Sequence, residues 1–245
     1  MNTELETKMI EISEKNNQKV SQTFDDFIEM SFQYATTGKI EIKYKDFEDD
    51  WEELGAIHCK TVYSKPFYDH LGFLMHSLGI TNSNQGVFYT PSELSDCVNR
   101  MLMPCSKSSK EFVDMCSGTG SLTLSSMLNR VNNTTYDNDC FTLIDTDLQA
   151  CKIAFLQVLI AHRILGRELP KLEIICGDAL FTEKNHIFVY SNNRDFFDIP
   201  IVRRYELYQD DIKIYQDGVR RNELAGKLLE FMHNAEKSGS DDEAA

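Results

Sequence analysis

The sequence predicts an α/β fold in which a parallel sheet with covering helices follows an N-terminal helical region. Three observations support this prediction. Apolar residues recur at helical spacing before residue 80, short apolar segments alternate with longer amphipathic ones from residue 111 onward, and polar or glycine-containing turns separate them. Strands that alternate with helices along a chain are typical of a parallel sheet with helices packed on its faces.

The N-terminal region is predicted to be helical because three of its segments carry a stripe of apolar residues. Residues 22–35, 44–63 and 66–79 each place apolar side chains three or four positions apart. That spacing puts them on one face of a helix, which packs into a core. The polar start of the chain is expected to be frayed.

A further helix is predicted after the turn cluster at residues 82–86. Thr90 suits an N-cap, Pro91 suits the first helical position, and Glu93 lies where a capping box needs its carboxylate. We therefore expect a helix from this point to about Leu102.

Strands and helices alternate in the next part of the chain. Strands are predicted at residues 111–115, 141–144 and 172–176. Helices are predicted between them, at residues 121–131 and 147–165. This order predicts successive strand–helix–strand units in one sheet.

The last part of the chain contains weaker patterns. Residues 186–190 and 196–202 are candidates for further strands, residues 219–234 for a helix, and the polar tail from Lys237 is expected to be disordered. The chain is accordingly divided into an acidic helical region (1–85), a sheet domain (86–203), and a C-terminal helix with an acidic tail (204–245).

The composition limits the kinds of partner that the chain can bind. The net charge is −14, and residues 1–56 contain 14 acidic residues against six lysines and no arginine. DNA binding usually needs a basic face that displaces counterions, so the charge does not favour DNA. The acidic face is either a solvated helical surface or an imitation of DNA. The pairs Arg203-Arg204 and Arg220-Arg221 could touch phosphate, although a solvated role is the simpler one.

The cysteines indicate a reducing compartment, which we expect to be the cytoplasm. Seven cysteines are scattered without a Cys-x-x-Cys pair, so they are expected to be small core residues. His58 and Cys59 are adjacent, but no second pair of ligands accompanies them, and no metal site is predicted. No apolar run is long enough to cross a membrane, and no membrane partner is expected.

The segment from Phe112 to Leu122 carries the strongest chemical signal. Asp114 follows two apolar residues that end a strand, and Gly118 and Gly120 then form a turn into a helix. Glycine lets a backbone bend sharply and approach a ligand. An acid before such a turn suits a positively charged cofactor such as S-adenosylmethionine, whereas a dinucleotide phosphate would prefer helix-end amides without the acid.

Four short segments stand in a fixed order. They are residues 85–91 (Gln-Gly-Val-Phe-Tyr-Thr-Pro), 114–120 (Asp-Met-Cys-Ser-Gly-Thr-Gly), 145–147 (Asp-Thr-Asp) and 177–180 (Gly-Asp-Ala-Leu). This order resembles that of the adenine-N6 DNA methyltransferases, in particular the modification subunits of type I restriction systems. It is most similar to short methylase-like proteins of phages and mobile elements.

The resemblance covers about residues 65–182 and implies a Rossmann-like class I methyltransferase sheet. Proteins of that class have seven strands, and about five can be counted here, which would make the sheet a truncated one. The implied cofactor is S-adenosylmethionine. Phe88, Thr90 and Pro91 would pack against it and bind its methionine end.

The other three segments would hold the rest of the cofactor, as the resemblance implies. Asp114 would attract its amino group, directly or through water, and Gly118 and Gly120 would let the backbone pass beneath it. Asp145 would accept both ribose hydroxyls, and Asp178 would accept a hydrogen bond from the adenine amino group. Asp147 is predicted to be the N-cap of the following helix.

The sequence departs from the family at the residues that present the base. Neither Asn-Pro-Pro-Tyr nor Asp-Pro-Pro-Tyr occurs, and all five prolines are isolated. In the family this motif accepts hydrogen bonds from the target amine and stacks on the flipped-out base. Asn193 or Asp198 could take the acceptor role here, and the alternative is a loop and a strand without chemistry. Milder departures are Met115 in place of the usual proline and Ser117 in place of the usual cysteine.

Two functions from different classes are therefore predicted. The first is an S-adenosylmethionine-binding adenine-N6 DNA methyltransferase, complete in itself or completed by a partner chain. The second is a catalytically inactive binding protein that keeps the fold, for example an anti-restriction protein of a mobile element or a partner-dependent subunit. A protein partner is expected in either case, because DNA binding is not supported by the net charge.

Overall fold

The computed structural model describes residues 3–80, 90–102, 110–131, 136, 139–167 and 170–179, and the backbone of residues 184–190. The described helices are α1 (Glu4–Lys15), α2 (Val20–Thr37), a 3-10 helix (Ile42–Phe47), α3 (Glu48–Ser64), α4 (His70–Ser77), α5 (Ser92–Leu102), α6 (Ser121–Arg130) and α7 (Leu148–Ile164). The described strands are β1 (Glu111–Asp114), β2 (Cys140–Asp145), β3 (Lys171–Gly177) and β4 (Lys184–Tyr190).

The four described strands form one sheet in the order β1-β2-β3-β4. β1 pairs in parallel with β2, and β2 pairs in parallel with β3. The connections between them are α6 and α7, so the predicted strand–helix–strand units are confirmed. The predicted fold class, an α/β sheet preceded by a helical region, is likewise confirmed.

β4 differs from the expectation of a purely parallel sheet. It pairs antiparallel with β3, and the register shifts between Cys176 and Gly177. Too few residues separate the end of β3 from the start of β4 for a crossover helix, and a parallel return needs one. The strand therefore folds back beside β3 as a hairpin.

The chain is helical from Glu4 onward, so among the described residues the prediction of a frayed start is wrong. The Thr3 side chain accepts a hydrogen bond from the Glu6 N–H, and the Glu6 carboxylate accepts one from the Thr3 N–H. This reciprocal capping box satisfies two helix-end donors. Leu5, Met9 and Ile12 lie on one face and are buried in the core, so burial holds the helix in place.

The helical region and the sheet share one hydrophobic core. α7 lies at its centre and is buried on most of its surface, as a helix that is apolar on all sides should be. Two polar contacts join α2 to α7 at the edge of this core. Gln149 donates to Asp25, with 2.6 Å between Nε2 and Oδ1, and Lys152 forms an ion pair with Glu29. The helical region therefore packs directly against the helix that connects β2 to β3.

The remaining element predictions agree with the structure to within four residues at each end, where they can be compared. α5 begins at Ser92 and ends at the predicted Leu102. The turn at residues 82–86 and the segments 196–202, 219–234 and 237–245 lie outside the described residues. The three-part domain division stays a prediction. No described helix is long and apolar enough to cross a membrane.

Candidate functional site

Three aspartates lie at the ends of three neighbouring strands. Asp114 is the last residue of β1, Asp145 is the last residue of β2, and Asp178 comes directly after β3. Because these strands are parallel, their carboxyl ends meet at one edge of the sheet. In open α/β sheets this edge is where ligands bind, and the structure brings these three predicted residues together there.

Asp114 lies beneath the edge and is only 6% exposed. Its carboxylate accepts a hydrogen bond from the Thr123 hydroxyl, with 3.0 Å between the oxygens, and another from the Cys116 N–H. Burial raises the pKa of Asp114, and the nearby charge of Asp145 raises it further, while the two hydrogen bonds oppose this shift. A cofactor amino group would reach so buried a carboxylate most easily through water.

The turn between β1 and α6 bends sharply, as predicted, and its two glycines have a left-handed backbone. The φ angles of Gly118 and Gly120 are 51° and 91°, a region that other residues adopt only at a cost. The Gly120 N–H donates to the Ser117 carbonyl over 2.8 Å. The helix α6 begins at the next residue, so its first turn starts at the sheet edge.

Asp145 ties this turn to the end of β2. Its Oδ2 accepts a hydrogen bond from the Gly118 N–H over 2.7 Å, and its Oδ1 accepts one from the Asp147 N–H over 2.9 Å. Each carboxylate oxygen has a second lone pair, so both remain able to accept a hydroxyl from a ligand. The Asp147 side chain in turn accepts from the Gln149 N–H, which confirms its predicted role as the N-cap of α7.

Within the part of the chain that the structure describes, the Ser117 hydroxyl is an unpaired polar group in the turn that a ligand could bind. Its side chain is buried, and its Oγ has no hydrogen-bond partner among the described residues. Buried hydroxyls are nearly always paired. A cofactor that carries amino and hydroxyl groups fits both this hydroxyl and the neighbouring carboxylates, so the residues present suit S-adenosylmethionine.

Thr90 and Pro91 are exposed and lie directly before α5. The Ser95 and Ser121 hydroxyls are 2.9 Å apart, which joins the first turns of α5 and α6. Thr90 and Pro91 therefore lie at the same end of the molecule as the glycine turn. The other predicted residues Phe88, Asn193 and Asp198 lie outside the described residues.

Three buried polar residues near the turn were not predicted from the sequence. Asp69, which caps α4, contacts the hydroxyl of Thr119 and the side-chain amide of Gln157. Burial raises the pKa of Asp69, and its hydrogen bonds oppose the shift. A polar residue within a largely apolar segment is the only sequence signal of this cluster, and that signal does not identify a partner.

A comparison of the sequence with known protein families assigns the chain to a family. The sequence profile of the N-6 DNA methylases matches residues 67–199, just over half of the chain. The chain therefore belongs to the N-6 DNA methylase family, and the resemblance seen in its motifs is confirmed. No curated protein gives a significant match to the sequence.

One solved structure is similar, a protein from Listeria monocytogenes assigned to the class I S-adenosylmethionine-dependent methyltransferases. The two sequences are 13% identical, and the TM-score is 0.44. The match covers 73% of this chain and 52% of the other. The chain thus spans about half the length of that protein.

Proposed function

We propose that this protein binds S-adenosylmethionine at the carboxyl edge of β1 to β3 and methylates the N6 amine of adenine in DNA. One observation carries the proposal. In a chain of the N-6 DNA methylase family, the Asp145 carboxylate holds the glycine turn through Gly118 and keeps lone pairs for a ligand. Parallel-sheet proteins hold a nucleoside ribose with an acid at this position.

Each end of the cofactor has residues suited to it. When bound, S-adenosylmethionine supplies an electrophilic methyl group on a sulfonium ion. Asp145 would accept hydrogen bonds from the ribose hydroxyls, and Asp178 would accept one from the adenine amino group. Phe88, Thr90 and Pro91 would contact the methionine end.

The charge of the edge also favours this cofactor. Two carboxylates end neighbouring strands, and one of them, Asp114, is buried, where a charge is poorly screened. The sulfonium and the amino group of the cofactor are both cationic, so the edge attracts them. Asp114 would act on the amino group through water, since this residue is only 6% exposed.

Methyl transfer also needs a group that receives the target amine. The bound cofactor would supply the methyl group, S-adenosylhomocysteine would leave, and the target amine would release its proton to water. Asn193 or Asp198 would accept a hydrogen bond from that amine and keep its lone pair directed at the methyl group.

The overall charge makes a protein partner part of the proposal. At a net charge of −14 the chain repels the phosphates of DNA. A partner chain with a basic surface would hold the DNA and present the flipped-out adenine. Methyl transfer to DNA should therefore be measured with and without candidate partner subunits.

A second function is favoured by one specific observation, the lack of any Asn-Pro-Pro or Asp-Pro-Pro segment in the sequence. In this alternative the protein keeps the cofactor site but transfers no methyl group. It would act through protein contacts, for example by binding a restriction–modification subunit or by imitating DNA with its acidic helices.

Two measurements on the full chain separate these functions. Calorimetric titration with S-adenosylmethionine tests the site, with Asp145→Ala as the variant that should bind weakly. Transfer of tritiated methyl to unmethylated DNA, followed by digestion to nucleosides, tests the reaction. Label in N6-methyladenine supports the enzyme, cofactor binding without label supports the binding protein, and absence of cofactor binding refutes both.

A further inference from the structure

A closed cluster of buried side chains connects the helical region to the glycine turn. Asp69, Thr119 and Gln157 are 4%, 0% and 2% exposed. The Thr119 hydroxyl donates to Asp69 Oδ2 over 2.6 Å, and the Gln157 amide donates to Asp69 Oδ1 over 2.8 Å. The same Oδ1 accepts the Gly72 N–H over 2.8 Å. One carboxylate of the helical region thus receives three hydrogen bonds, one of them from the turn.

The Gln157 amide completes the cluster, because both its nitrogen and its oxygen are paired. Its Nε2 also donates to the Thr119 carbonyl over 2.9 Å, and its Oε1 accepts the Leu71 N–H over 3.0 Å. Both the hydroxyl and the carbonyl of Thr119 are therefore held. Because buried networks in which every group is paired are rigid, this residue has little freedom to move.

Asp69 also contacts the residue that directly follows the predicted cofactor segment 85–91. Its main-chain N–H donates to the Ser92 hydroxyl over 3.4 Å, and Ser92 follows Pro91. One residue therefore touches the turn that contains Gly118 and Gly120 and the helix start that follows Thr90 and Pro91.

We propose that Asp69 is a positioning residue that fixes the glycine turn, and with it the start of α5, in the shape that accepts the cofactor. The proposal rests on the proposed function, in which that turn binds S-adenosylmethionine. Thr119 lies between two glycines, the residues with the greatest backbone freedom. Contacts from outside the turn must restrict them: Asp145 holds Gly118, and Asp69 holds the residue between the two glycines, Thr119. A turn that is already ordered loses no backbone conformational entropy when the cofactor binds, and this favours binding.

Gly72 supplies a variant that disturbs the cluster without removing any of its polar groups. A Cβ at this position would lie 2.4 Å from Asp69 Oδ2 and 2.5 Å from Thr119 Oγ1. Gly72→Ala therefore drives a methyl group into the hydrogen bond between them. Gly55→Ala is the matched control, since Gly55 lies in α3 and a Cβ there would meet nothing within 4 Å.

Asp69→Ala has its own matched control in Asp50→Ala. Asp50 is likewise a buried carboxylate of the helical region, and it accepts hydrogen bonds from Lys15 and Asn16 rather than from the turn. Both changes remove a buried, hydrogen-bonded carboxylate. Only Asp69→Ala should weaken the binding of the cofactor.

The first readout is the Kd for S-adenosylmethionine, measured by calorimetry well below the melting temperature of each variant. We expect Asp69→Ala and Gly72→Ala to weaken binding by about tenfold or more, since each breaks a buried hydrogen bond to a charged group. Asp50→Ala and Gly55→Ala should keep the wild-type Kd. Asp69→Asn should restore most of the affinity, because its amide can donate to the Thr119 hydroxyl, which then accepts.

The second readout needs no cofactor. Amide hydrogen exchange of Gly118 and Gly120, whose N–H groups are both bonded within the site, should accelerate in Asp69→Ala and Gly72→Ala but not in the two controls. If the wild type binds no S-adenosylmethionine, the proposed function falls, and these exchange rates alone decide whether Asp69 fixes the turn.

Two results would overturn the positioning role. One is wild-type affinity and wild-type exchange in Asp69→Ala or Gly72→Ala. The other is an equal loss in Asp69→Ala and Asp50→Ala, which would make the effect one of general stability. If Asp69→Ala does not fold, Gly72→Ala and Asp69→Asn decide, because both keep a polar side chain at every position of the cluster.

Discussion

Replacing Gly120 by alanine tests whether the turn before α6 needs glycine for its backbone and for its packing. Gly120 has a φ of 91°, and a Cβ there would lie 3.2 Å from the Ala154 Cβ and 3.5 Å from the Ala154 Cα. Ala154 is completely buried in α7, so it cannot retreat without moving the helix. The added methyl is therefore both strained and crowded.

The expected cost follows from these two effects. A left-handed backbone at a residue other than glycine costs about 1–2 kcal/mol, and forcing a methyl into a packed core costs about 1–3 kcal/mol. Together they predict that Gly120→Ala lowers the free energy of unfolding by about 2–5 kcal/mol. That is a large fraction of the stability of an ordinary domain.

Gly166 provides the control that separates strain from crowding. It has a φ of 58°, but a Cβ there would meet nothing within 4 Å. Gly166→Ala should therefore cost only the strain, about 1–2 kcal/mol. Urea unfolding followed by far-ultraviolet circular dichroism, with fluorescence of Trp51 (the single tryptophan) as a second probe, measures both. Equal costs for the two variants would refute the argument that Ala154 crowds the turn.

Three further predictions concern charge and hydrogen bonding. Asp145→Ala leaves the Gly118 N–H without its acceptor and should weaken S-adenosylmethionine binding by about tenfold or more; unchanged affinity by calorimetry would contradict the assignment. Burial lowers the pKa of His58 to about 3. Its contribution to stability is therefore present above its ordinary value of about 6.5 and is lost as the pH falls from there towards 3, at up to about 1.4 kcal/mol per pH unit. His58→Phe should show a shallower acid slope in unfolding measurements from pH 7 to pH 4, and an identical slope would argue against a buried neutral imidazole. Thr123→Val removes a donor to Asp114 and should cost about 1–3 kcal/mol at neutral pH. The cost should shrink as the pH falls and the carboxyl is protonated, whereas a pH-independent cost would show that lost packing dominates.

The elements that could be predicted are those in which the spacing of apolar residues along the segment itself indicates a helix or a strand. α7 and the three parallel strands appear at the predicted places because their burial produces an apolar pattern that does not depend on distant contacts. α1 was missed because its polar composition obscured the spacing of Leu5, Met9 and Ile12 and the capping box of Thr3 with Glu6. The direction of β4 was missed because a short apolar run has the same pattern in either direction.

The residues of the candidate site also fall into some that could be predicted from the sequence and some that could not. Asp114, Gly118, Gly120 and Asp145 could be predicted because each stands at a fixed place relative to the end of a strand. The Asp69 cluster could not, because its hydrogen bonds join residues 50 and 88 positions apart. Such partners are set by how helices pack on the sheet, and a single sequence does not contain that information.

The cluster also bears on the predicted boundary at residue 85. Asp69 lies on the N-terminal side of that boundary and Thr119 on the other, yet they share a buried hydrogen bond of 2.6 Å. Removing residues 1–85 would leave Thr119 and Gln157 without their common acceptor and would expose the face of α7 that packs against α2. The helical region is therefore part of the support of the glycine turn, through the hydrogen bond between Asp69 and Thr119.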